Sequence, residues 1–99
     1  MVDERQEHRQ AAQATLAALL AELRALPDRE AVSSIIDEGE HLARAIEAFH
    51  MEAIRFRIFG LIRRLEHPAA PVPDTTRQLV TELRGSLERA GFHTRSIHS

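Results

Sequence analysis

The chain has no cysteine, no tryptophan, no tyrosine and no lysine. Without cysteine there are no disulfides, no thiolate metal ligands and no thiol nucleophile. Four phenylalanines are the only aromatics, and much of the 43% apolar content is alanine, so the core must be aliphatic. No apolar run approaches the ~20 residues needed to span a bilayer. The polar, acid-bearing stretch from Met1 to Glu7 does not read as a signal peptide, and the expected location is the cytoplasm. No Gly-rich phosphate loop and no Ser/His/Asp grouping is present, so a covalent or hydrolytic enzyme is not expected. A formal charge of −2 supplies no field that would draw nucleic acid or an anionic membrane. All 13 basic side chains are arginine, which fits a GC-rich genome better than selection for bidentate carboxylate or phosphate contacts.

At 99 residues the chain is long enough for one domain with one modest core, expected over residues 1–92, with 93–99 as a flexible tail. Three helical segments are expected. The first runs from about Asp3 to Leu26, with Leu16, Leu19, Leu20, Leu23 and Leu26 along one face and alanines filling the rest. Pro27 ends it, and Asp28 is placed to cap the next segment. That second segment is expected to be one long central helix from about Asp28 to Glu66, with a later start at Ser34 also possible. Its apolar positions keep helical spacing, and no proline interrupts it until Pro68. Gly39 and Gly60 are its weak points, each costing up to ~1 kcal/mol relative to alanine. A stiff linker, His67 to Pro73, leads to a third helix from about Thr75 to Ala90. Asp74 or Thr75 is expected to cap it, and Gly91 to stop it in a left-handed conformation with Phe92 folding back on Leu87.

Helix lengths suggest the packing. At 1.5 Å per residue the first helix is about 35 Å long and the second about 58 Å, leaving an overhang of about 23 Å from Met51 onward. The short turn at Pro27 implies an antiparallel hairpin, and the third helix, about 24 Å long, matches the overhang. On this reading it folds back along Met51 to Glu66. The central helix carries three apolar lines: one through Ile35, Leu42 and Ile46, one through Ile54, Ile58, Leu61, Ile62 and Leu65, and one through Ala45, Ala48, Phe49, Phe56 and Phe59. Two neighbouring helices cannot cover all three, so the fold class expected is all-α, a hairpin plus a C-terminal helix, assembled into a dimeric helical bundle. Asp37, Glu38, Glu40 and Glu47 make one half of the central helix acidic. Arg55, Arg57, Arg63 and Arg64 make the other half basic, a polarity suited to an antiparallel dimer.

The sharpest chemical signal is Glu47-Ala-Phe-His50. Residues three apart on a helix share a face, so the carboxylate and imidazole could bind one metal, as in ferritin-like carboxylate-bridged sites. His8 could join them, because counting back from Pro27 places His8 and Arg9 level with Glu47. An arginine there would instead give a salt bridge. Glu38-Gly-Glu-His41 repeats the spacing on a different face. The leading expectation is a small interaction protein that needs no cofactor, dimerises through its central helix and offers Phe56, Phe59, Arg55 and Arg63 to a protein partner. The alternative is a helical-bundle protein binding iron or another divalent transition metal through Glu47 and His50.

Overall fold

A computed structural model describes residues 4–67 and 72–91 of the chain. These residues form helices α1 (Glu4–Arg24), α2 (Ser33–Glu47), α3 (Met51–Glu66) and α4 (Asp74–Arg89), with no strand among them. The expected tail at 93–99, the fold-back of Phe92 and prolines 68 and 71 lie outside the described residues. No helix among the described residues is long and apolar enough to cross a membrane.

The leucine line of α1 is buried as its spacing requires: Leu16, Leu19, Leu20 and Leu23 together with Ala12, and Leu26 in part. Ala11, Ala14, Ala18, Ala21 and Ala25 face outward. Asp28 does act as a cap, its Oδ1 accepting the Ala31 N–H at 3.1 Å, while Ser33 Oγ donates to the Glu30 carbonyl at 3.1 Å. These bonds close a turn, however, and α2 starts only at Ser33, beside the later of the two starts the sequence allowed.

The long central helix is not one helix. α2 stops at Glu47, and Phe49 adopts φ 58°, a left-handed conformation that costs an L-residue about 1–2 kcal/mol. Two bonds close the reversal: the Phe49 N–H donates to the Ile46 carbonyl at 3.2 Å and the His50 N–H to the Ala45 carbonyl at 3.1 Å. This pair of bonds is the Schellman ending, with phenylalanine where glycine is usual. His50 then caps α3, its Nδ1 accepting the Ala53 N–H at 3.3 Å.

The reversal lays α3 antiparallel on α2, so that Glu38 sits against Gly60, residues equally far before and after Phe49. Consequently α4 is not needed to cover Met51 to Glu66. It packs instead along α1, and α3 touches α4 least of the neighbouring pairs. Thr76, at the start of α4, donates through Oγ1 to Glu22 Oε1 near the end of α1 at 3.0 Å, so this pair is antiparallel too. α1 meets α2 at their shared corner, with Leu20 close against Gly39 and Arg24 bonded to Glu40 at 2.8 Å. The result is a helical bundle of two antiparallel pairs, α1 with α4 and α2 with α3.

Among the described residues the core is aliphatic: the α1 leucines, Ile35, Leu42, Ile46, Ile54, Ile58, Leu61, Leu65, Val80, Leu83 and Leu87 are buried, with no aromatic ring beside them. α4 begins with Pro73 as its N-cap and no side-chain cap. Asp74 is therefore its first helical residue, where the dipole favours an acid, and the expected capping by Asp74 or Thr75 is absent. Gly91 has φ 95°, the left-handed stop expected of it.

The reversal makes a prediction of opposite sign to a continuous helix. Phe49→Gly should be more stable than Phe49→Ala by about 1 kcal/mol, since glycine adopts positive φ without cost. Were residues 47–51 helical, alanine would win by a similar margin. Urea denaturation of the two variants reads the order directly.

Candidate functional site

Glu47 and His50 do not share a helical face. Glu47 is the last residue of α2 and His50 the N-cap of α3, with the left-handed Phe49 between them, and both side chains are exposed. The Nδ1 lone pair that a metal could use is engaged in capping Ala53. His8 lies one turn from Glu4 on α1, Nε2 to Oε1 3.7 Å. The residue that α1 does bring to this end is Arg9, whose guanidinium lies 3.9 Å from the Phe49 ring centroid. Its Nε is buried without a hydrogen-bond partner among the described residues, and the ring face is an electrostatic neighbour of this cation. The register counted back from Pro27 was therefore close, but it joined Arg9 to an aromatic instead of to Glu47. Among the described residues no group of three or more His, Asp or Glu is arranged to hold a metal.

Glu38 and His41, the second pair at this spacing, are separated by environment. His41 is exposed, whereas Glu38 is buried between the two helices of the α2–α3 pair. Arg57 Nη1 donates to Glu38 Oε1 at 3.3 Å, and Arg64 Nε lies 3.8 Å from Oε2. Gly60 makes room for this carboxylate, since a Cβ there would stand 3.2 Å from Oε1. One acid of the acidic half, Glu38, thus meets two arginines of the basic half within one chain. Sequence reasoning could not place this cluster, because a continuous helix keeps Glu38 and Arg57 far apart. Its role is to orient α3 on α2.

What remains is the outward side of α3. Phe56 is 67% exposed and Phe59 44%, and Phe49 and Met51 at the reversal are also exposed. Taking ~100° per residue, Glu52, Phe56, Phe59 and Arg63 fall within about 60° of one another. This strip lies on the far side of α3 from Ile54, Ile58, Leu61 and Leu65, which enter the core. Arg63 stacks over Phe59 at 5.7 Å and Arg57 over Phe56 at 5.3 Å, so arginine partly screens both rings. Arg55 is half-buried beside the strip. Of the four clustered arginines, Arg57 and Arg64 are engaged by Glu38, and neither Arg55 nor Arg63 is ion-paired among the described residues.

An open depression at the corner of α1 and α2 is lined by Arg24, Arg29, Glu30, Ile36 and Asp37, with Arg24 already paired to Glu40. Its mixed charges give it no marked preference for a ligand of either sign. Comparison of the chain with protein-family models, curated proteins and solved structures found no match.

The buried carboxylate gives the second prediction. Hydrogen bonds to charged groups contribute roughly 1.5–3 kcal/mol, and the partial exposure of both arginines lowers this. Glu38→Ala should therefore cost about 1–2 kcal/mol in urea denaturation. Glu38→Gln, which keeps one acceptor, should lose about half as much.

Proposed function

We propose that this chain is a small cytoplasmic interaction protein, acting by binding and not by chemistry, through the outward face of α3. The observation that carries the reading is the division of apolar side chains. The largest aliphatic residues are almost completely buried, whereas Phe49, Phe56, Phe59 and Met51 are exposed together on the α2–α3 pair. A chain that buries most of its leucines but leaves three of its four phenylalanines exposed carries apolar surface of the kind that marks an interface, with Phe56 and Phe59 adjacent on α3. Phenylalanine and arginine are both enriched at protein–protein interfaces.

The surface is expected to work by division of labour. Burying an exposed phenylalanine contributes about 1.5–3 kcal/mol. A solvent-exposed ion pair contributes at most about 1 kcal/mol. Phe56 and Phe59 therefore supply affinity, and Arg55 and Arg63 select orientation and partner. Self-association and capture of a second polypeptide both belong to this reading. The net charge of −2 does not favour nucleic acid.

Placing the photoreactive p-benzoyl-phenylalanine at position 59 in the producing cell tests this. The expected result is a covalent protein adduct on irradiation, to another copy or to a different polypeptide, that is absent when the probe replaces exposed Ala18 on α1. Irradiation that yields no protein adduct at position 59 would overturn the reading.

A further inference from the structure

We propose that the occupant of this face is a second copy of the chain, docked with its α3 antiparallel to the first. The proposal rests on the reading of α3 as a binding surface and adds the partner and its geometry. It is carried by the order of residues along the outward strip: Glu52, Phe56, Phe59, Arg63. The spacing is four, three, four, the alternation of the two seam positions of a coiled coil. Read in reverse it has the same spacing, with an aromatic pair at the centre and opposite charges at the ends.

A two-fold axis crossing α3 between Arg57 and Ile58 uses that symmetry. It places Phe56 against the partner's Phe59, and Phe59 against the partner's Phe56. It also places Glu52 against the partner's Arg63 and Arg63 against the partner's Glu52, so both ends of the contact close with opposite charges. A parallel docking would set Glu52 against the partner's Glu52 and Arg63 against the partner's Arg63, which is repulsive at both ends. Neither Glu52 nor Arg63 has an ion-pair partner among the described residues, so both are available for this role. The contact is isologous and closes on itself, leaving no free copy of the surface to propagate a filament.

Its size predicts its strength. One helix of 16 residues with two phenylalanines on its seam buries less than the ~800 Å² per partner of a typical stable complex. The dimer is therefore expected to be weak, in roughly the micromolar range, and sensitive to ionic strength.

The test is a charge exchange followed by sedimentation equilibrium of the full chain in low-salt buffer, at roughly 10 µM to 1 mM protein. Glu52 and Arg63 are exposed on the face opposite the core, so Glu52→Arg and Arg63→Glu should keep the fold and helical content, each lowering the monomer's melting temperature only slightly because the new charge opposes the α3 dipole. Each variant alone puts like charges at both ends of the contact and should weaken self-association by about five- to thirty-fold. Mixed in equal amounts, the two variants should form a heterodimer of near wild-type affinity, because every end then carries opposite charges. The double exchange in a single chain should restore self-association in the same way.

A wild-type chain that stays monomeric over this range overturns the dimer. If position 59 still cross-links to another polypeptide, the binding surface stands and only the second copy falls. A dimer indifferent to both substitutions also overturns the proposal. If such a dimer is instead lost on Ala18→Glu, the contact lies on the alanine face of α1. Single variants that weaken association but fail to complement when mixed overturn the antiparallel pairing.

Discussion

The Ala48–His50 reversal is the constraint on which the other contacts depend. A phenylalanine held at positive φ is unfavourable by itself, and the chain keeps it there through several modest contributions acting together. Backbone bonds return to Ala45 and Ile46, His50 starts the next helix, and Arg9 stacks on the ring. The largest contribution comes from what the reversal allows. Ile54, Ile58, Leu61 and Leu65 leave solvent for the core, each worth up to about 3 kcal/mol when fully buried. Against a backbone cost of about 1–2 kcal/mol, burial decides the matter.

Once α3 lies on α2, the remaining arrangement follows by elimination. α3 has covered its own apolar stripe, so α4 must bury Val80, Leu83 and Leu87 elsewhere, and the open flank of α1 receives them. The charged residues obey the same geometry. Glu38 is too buried to be left alone, and Arg57 and Arg64 come within reach only because α3 runs back beside it. Gly60 is the weak point of a helix in isolation, but here its missing side chain is the space that the carboxylate occupies.

The same folding leaves apolar surface on α3 that no other helix among the described residues buries. Of the three apolar lines on the central segment, two go into the core, and the third loses only Ala45 to it. Phe49, Phe56 and Phe59 stay outside with arginines laid over them, which keeps the rings partly shielded while the chain is alone.

The sequence by itself determined the helical class, the leucine face of α1, the core line of α3, the left-handed stop at Gly91 and the surplus aromatic line. Each of these is a local property: a side-chain period of about 3.6, a residue that alone tolerates positive φ, an excess of apolar faces over neighbours. Only the tertiary structure decided that the central segment is two helices, that α4 lies on α1, and that Glu47 and His50 stand on different elements. Nothing local marks residues 48–50 as a stop, since they hold neither glycine nor proline and the apolar spacing runs through them unbroken. The reversal is favourable only when summed with the distant contacts that it creates. Glu38 with Arg57 and Arg64, and Arg9 over Phe49, are invisible to any reading of neighbours along the chain for the same reason.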